Sequence, residues 1–208
     1  MIYDITRTVR PTLAVWTGDT PYSVTPALRI ADGASVNLTT LALSPHTGAH
    51  ADAYYHYDDS GVHPAAMPLE PYIGRARVVT ISKRVGALMP DDFAGVSITG
   101  AERLLLHSWI SDETADETLA TEFAYLSVAL IEWLSAHGIV LIGLDAPSVD
   151  DFTSTDLPCH HALKRHGMVN LENLYLSGVP DGDYELIALP LKLDLACGSP
   201  VRAILRTL

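Results

Sequence analysis

TLATEFAYLSVALIEWLSAHGIVLIGL, residues 118–144, reads as a helix running into a strand. Within 118–137, Leu119, Phe123, Leu126, Leu130, Trp133 and Leu134 recur at three- and four-residue spacing, the pattern of a helix with one apolar face. Gly138 stands just past its end, where a C-cap glycine belongs. Residues 139–144 are continuously apolar and read as a buried strand, far too short to span a bilayer. A helix that feeds such a strand directly predicts an α/β fold.

Working outward, strands are expected at 2–9, at 36–44 (VNLTTLALS, ended by Pro45), at 75–82 (RARVVTIS), through Leu104-Leu-Leu-His107 within 99–107, and at 184–193, interrupted by Pro190. Pro158 opens a second helix that runs through His166 and is closed by Gly167. Trp16-Thr-Gly-Asp-Thr-Pro21 is a turn-rich loop. No repeat or linker divides the 208 residues, so one domain over 1–208 is expected.

The net charge of −12, with no offsetting cluster of Lys and Arg, argues against nucleic-acid binding. The start, MIYDITRTVRP, lacks the apolar run of a signal peptide, and a soluble, cytoplasmic protein is expected. Two cysteines, Cys159 and Cys197, are too few for a disulfide-stapled secreted domain. Cys159 adjoins two histidines, but a small buried filler suits it better than a ligand role.

Chemistry concentrates at 44–58, SPHTGAHADAYYHYD, which holds His46, His50, Asp52 and His56. Imidazoles plus a carboxylate suit a borderline metal such as zinc. On a helix Asp52 would lie some 240° from His46, nearly opposite it. In extended chain the period is two, and all four residues are even-numbered. Pro45 and Gly48 also disfavour a helix. An irregular extended segment that points its ligands into one pocket is expected. A second cluster, PCHHALKRHGMVNLEN at 158–173, brings His160, His161, His166 and Glu172. A carboxylate there can bridge two metals. Spacing alone does not rank His160 against His161, and His166 equally suits a solvated helix C-terminus.

HTGAHADAYYHY at 46–57 resembles the His-x-Gly-Thr/Ala-His-x-Asp-x-Pro-x-His signature of the cyclase-like metal-dependent hydrolases. Further matches run the length of the chain: Tyr3-Asp-Ile5, Trp16-x-Gly-Asp-Thr-Pro-Tyr22, Gly143-Leu-Asp-Ala-Pro-Ser-Val149, Leu157-Pro-x-His-His-Ala-Leu163, Leu171-Glu-Asn-Leu174 and Ser199-Pro-Val-Arg-Ala203. Trp16 and the double histidine make the likeness strongest to the bacterial kynurenine formamidases. The resemblance implies an α/β domain with a β-barrel-like mixed-sheet core and flanking helices (cyclase-like, swivelling β/β/α type), usually a homodimer. It implies two Zn2+ per chain: His46, His50 and Asp52 on one, His160 completing the other, Asp52 and Glu172 bridging both. It implies His56 as acid/base, Trp16 against the substrate, and hydrolysis of N-formyl-L-kynurenine to L-kynurenine and formate. One departure is Tyr54, where the pattern has proline; a bulky phenol is expected between Asp52 and His56.

Three rivals stand beside this reading. A serine hydrolase needs Gly-x-Ser-x-Gly, and Gly95-Val-Ser-Ile-Thr99 lacks the last glycine. A relative acting on a cyclic amide such as isatin keeps the same metal site. A metal-binding module without catalysis leaves His56 without a task.

Overall fold

The computed structural model describes residues 1–208. Its strands are β1 (Ile2–Asp4), β2 (Ser23–Leu28), β3 (Leu38–Ala42), β4 (His50–Asp52), β5 (Ile73–Thr80), β6 (Gly86–Leu88), β7 (Arg103–His107), β8 (Ala124–Leu126), β9 (Leu141–Leu144), β10 (Val169–Glu172), β11 (Gly182–Ile187), β12 (Gly198–Pro200) and β13 (Ile204–Thr207). Three helices intervene: α1 (Ile110–Glu113), α2 (Val128–Ala136) and α3 (Pro158–Arg165).

Nine strands form one curled mixed sheet in the order β1-β13-β11-β5-β7-β9-β10-β4-β12. The central run β5-β7-β9-β10 is parallel and the flanks are antiparallel. Every residue of β7 and β9 is buried, as parallel strands covered on both faces require. Side-chain alternation then divides the core. Leu104, Leu106, Ile142 and Leu144 pack with Leu130, Ile131 and Leu134 of α2 and Leu163 of α3. Leu105 and Leu141 point the other way and pack with Leu171, Leu186 and Leu205 inside the curl. Gly143 lets the chain pass there, because a Cβ would stand 2.4 Å from a methyl of Leu105.

The α/β class expected from residues 118–144 is the class observed, but the helix is shorter. Residues 118–123 are irregular, and Ala124–Leu126 pair in parallel with β6 as β8. The Ser127 hydroxyl accepts a hydrogen bond from the Leu130 amide and starts α2 there. Phe123 and Leu126 are buried from a strand, a role that helical spacing imitates. Gly138 has φ +83°, as a glycine past a helix end should. The first strand stops at Asp4, and the strand expected over 184–193 closes at Ile187, before Pro190 removes a donor. The second helix matches expectation to within a residue.

The strand expected at 36–44 pairs with β2, which sequence reading did not anticipate. The two form a hairpin outside the main sheet, exposed along its whole length. It presents Val24, Leu28, Leu38 and Leu41 to solvent. No helix is long and apolar enough to cross a membrane.

Candidate metal centre

β4 lies between β10 and β12, and register does the first part of the assembly. His50 stands opposite Glu172, and Asp52 opposite Gly198. His50 and Asp52 are two residues apart and share a face. His46 comes from the turn before β4. Its ring crosses the backbone of β12 where a Cβ on Gly198 would lie 2.9 Å from the imidazole Cε1. His160 comes from the first turn of α3, whose amides at Cys159 and His160 donate to the two oxygens of Asp150 at 2.8 and 3.1 Å. His56 sits on a 3-10 turn, Tyr54–His56, directly after β4.

These elements bring two three-residue donor sets together, His46/His50/Asp52 and Asp52/His160/Glu172, with Asp52 in both. Donor–donor separations are 3.0 Å (His46 Nδ1 to Asp52 Oδ1), 3.5 Å (His50 Nε2 to Asp52 Oδ1), 3.2 Å (His160 Nε2 to Asp52 Oδ2), 3.4 Å (His50 Nε2 to Glu172 Oε2) and 3.6 Å (His160 Nε2 to Glu172 Oε1). Tetrahedral zinc with bonds near 2.0–2.1 Å spaces its ligand atoms ~3.3 Å apart. The observed spacings centre on that value. Asp52 Oδ1 is fully buried and has no hydrogen bond of acceptable geometry, although two imidazoles face it. An orphaned carboxylate oxygen amid converging nitrogens is costly unless a cation completes it. The donor set therefore fits the zinc pair that the resemblance implies.

Each imidazole is also held at its far nitrogen. His50 Nδ1 donates to the Gly48 carbonyl at 2.8 Å, and His160 Nδ1 to Asp150 at 2.7 Å. His46 Nε2 lies 3.1 Å from the Cys197 sulfur. With those nitrogens protonated, the lone pairs of His50 Nε2, His160 Nε2 and His46 Nδ1 face the carboxylates, the arrangement that orients histidine ligands. Asn170 donates to Asp52 at 2.7 Å and to Glu172 at 3.1 Å.

Without a cation the site holds protons instead. Burial opposes charge on His46, but the close Asp52 carboxylate, 3.0 Å from Nδ1, and the Cys197 sulfur outweigh it and raise its pKa to about 10. His160 reaches about 10 against the same burial through Asp150 and Asp52, and His50 about 9 through Asp52 and Glu172. Burial alone would raise Asp52; bonds from His160, His46 and His50 instead hold it well below the usual carboxylate range. The Cys197 thiol is lowered to about 6 by His46 and His56.

The centre opens on a cavity of about 240 Å³ lined by Trp16, His56, His46, His50, His160 and Glu172 among others. All seven expected residues thus converge: four ligand candidates surround the fifth, Asp52, while His56 and Trp16 face the same space. His56 is exposed, and its ring lies 4.1 Å from that of His46. The two neighbouring histidines are now distinguished. His160 is buried in the centre, whereas His161 is half-buried with its ring against Tyr57. His166 caps the exposed end of α3. Cys159 is the buried filler expected, its thiol donating to the Leu126 carbonyl. Tyr54 corrects an expectation: it turns away from the cavity, and its hydroxyl donates to the Met168 carbonyl at 3.0 Å.

The expected extended segment is instead a turn, a three-residue strand and a 3-10 turn. Only His50 and Asp52 obey the period of two on one strand. Sequence reading missed Asp150, Asn170 and Cys197, which touch the ligands, and Phe152, whose ring lies 4.5 Å from Trp16. Asn170 had an available signal, since it stands two residues before Glu172 and so on the same face of any strand.

The putative cyclase family matches residues 3–151. The chain belongs to this family. It is 44% identical over 207 residues to the kynurenine formamidase of Maricaulis maris (strain MCS10), covering 100% of this chain and 98% of that protein. Among solved structures it is similar to a "predicted metal-dependent hydrolase from Bacillus stearothermophilus", at TM-score 0.81 and 25% identity over 99% of this chain and 97% of that one. It shares its fold with isatin hydrolase A from Labrenzia aggregata, at TM-score 0.85 and 22% identity over 99% and 93% of the two chains. The family resemblance carried by residues 46–57 and the cyclase-like fold it implied are both borne out.

Proposed function

We propose that this cyclase-family protein is a zinc-dependent arylformamidase that hydrolyses N-formyl-L-kynurenine to L-kynurenine and formate. The observation that carries the reading is Asp52, shared between two donor sets whose other members, His46, His50, His160 and Glu172, line one cavity with Trp16 and His56. The 44% identity to a kynurenine formamidase supports the choice of substrate.

When bound, a zinc pair supplies an acidified water and polarises the formyl carbonyl. His46, His50 and Asp52 would hold one ion, Asp52, His160 and Glu172 the other. In the net reaction water adds hydroxyl to the formyl carbon, the carbon–nitrogen bond breaks, and the aniline nitrogen takes a proton. His56 faces the cavity beside His46 without entering either carboxylate-containing set, so it is placed to deliver that proton. Trp16, backed by Phe152, offers a face for the substrate's aromatic ring, a contact worth about 0.5–1.5 kcal/mol beyond area burial. Asp19 and Asp151 line the same cavity, and no Lys or Arg does. That sign of charge suits the substrate's α-ammonium.

The test is metal analysis of protein purified without added metal, together with kcat/KM for N-formyl-L-kynurenine and isatin. About two zinc ions per chain and preference for the formamide are expected. Activity that survives exhaustive chelation would overturn the metal reading, and a higher kcat/KM for isatin would overturn the substrate. The enzyme would work as a homodimer, a second copy covering the apolar β2–β3 hairpin; a monomer in sedimentation velocity at micromolar concentration would refute this.

A further inference from the structure

A third donor set lies at the rim of the centre. A ring nitrogen of His46, a ring nitrogen of His56 and the Cys197 sulfur all lie within 4.8 Å of one another. Unlike the other two sets it contains no carboxylate, and it reaches solvent: His56 is exposed, and His46 and Cys197 are half-buried.

The three side chains sit on backbone segments tied to each other. The Ala53 amide donates to the Cys197 carbonyl at 3.0 Å, and the His56 amide to the Ala53 carbonyl at 2.9 Å. His63 Nδ1 bonds the Ala196 carbonyl at 2.9 Å and steadies the loop before Cys197. Gly198 gives the His46 ring room to lie across β12 toward the sulfur. The cluster is therefore held in place by main-chain geometry.

A thiolate with two imidazoles is a soft set, of the kind that selects zinc, cadmium or copper(I) over magnesium or calcium. Three protein ligands leave one tetrahedral position for water. The other free cysteine, Cys159, is buried in the first turn of α3 with its thiol bonded to a carbonyl and offers no comparable site.

We propose that His46, His56 and Cys197 form an inhibitory site for a thiophilic divalent cation, distinct from the two positions around Asp52. On binding, the thiol loses its proton to solvent and the cation takes the His46 Nε2 and His56 lone pairs. A neutral imidazole has one lone pair. His46 must then carry its proton on Nδ1, facing Asp52 Oδ1 at 3.0 Å, and is lost to the first metal position. The same cation occupies His56. One event thus removes a ligand and the group placed for proton transfer. The inhibitory consequence rests on the function proposed above; the binding site does not.

Cadmium is the probe. Zinc-loaded protein is titrated with cadmium chloride while the ultraviolet thiolate-to-cadmium charge-transfer band and formamide hydrolysis are followed together. Wild type is expected to develop the band, saturating at one cadmium per chain, with activity falling in parallel. Cys197→Ser is expected to show no band and to keep its own cadmium-free rate at the same cadmium concentration. A band that persists in Cys197→Ser, or that never forms in wild type, overturns the site. A band without inhibition overturns only the regulatory role. Loss of activity with no band in either protein overturns the site, because it reports displacement of the metals at Asp52. As a check that needs no variant, alkylation of wild type is mapped by mass spectrometry. Cadmium should protect Cys197; unchanged labelling of Cys197 at saturating cadmium sinks the proposal.

Discussion

His46 and His56 lie with their rings 4.1 Å apart and have different surroundings. His46 is pinned between Asp52 and Cys197, whereas His56 is exposed and belongs to neither set that contains a carboxylate. Replacing His56 by Ala should lower kcat by roughly 100- to 10,000-fold, the range for a lost general acid–base. Zinc content should stay near wild type. If His56→Ala loses a metal equivalent, the residue is a ligand. Legibility at this scale followed local sequence. His46, His50 and Asp52 could be recognised because they crowd one short stretch. Cys197 could not, because it reaches His46 across 151 positions and only the pairing of β12 with β4 brings it there. The choice of His160 over His161 also needed the tertiary fold, since adjacent residues on a helix differ by 100° and the packing of α3 selects one.

At the scale of elements, α2 shows where periodicity overreaches. Leu119, Phe123 and Leu126 fit a 3.6-residue repeat with Leu130 and Leu134, yet the chain is not helical between Thr118 and Ser127. The parallel pairing of Gly86–Leu88 with Ala124–Leu126 satisfies that backbone instead, an option the local pattern does not display. Ser127 marks the boundary physically, since its side chain receives the Leu130 amide at 3.0 Å. Ser127→Ala should cost about 1 kcal/mol of stability, the usual loss for an N-cap hydroxyl. Urea unfolding of the metal-loaded protein at constant m-value would measure it, and an unchanged midpoint would show that α2 does not depend on this cap. The parallel centre was more legible. The short apolar run at 139–144 and the Leu triplet at 104–106 read as strands because both faces of that part of the sheet are covered.

For the molecule as a whole, the centre links folding to pH, and the size of the effect depends on metal. In metal-free protein His46 and His160 titrate at about 10 and His50 at about 9, against an unfolded value near 6.5. Over the interval between those values the native state binds more protons than the unfolded chain, so stability falls as pH rises. The contribution of the three imidazolium–carboxylate contacts is fully present below about pH 6.5 and is lost as pH climbs through 9 to 10. Asp52 acts in the opposite sense. Its pKa is held well below the ordinary value, so its contribution exists above about pH 4 and disappears as pH falls through its native value. Both descriptions concern one shared set of contacts, so the three histidines titrate together and their effects do not add. A bound cation replaces the protons between imidazole and carboxylate and removes the reason for the alkaline loss. Chelator-treated protein should therefore show a melting temperature that declines from pH 7 to pH 10, with the metal-loaded protein declining less over the same range. Loading at pH 8 should also release protons, measurable with an indicator dye in weak buffer. Parallel melting curves for the two forms, or metal uptake without proton release, would mean that the buried histidines are already neutral before the metal arrives.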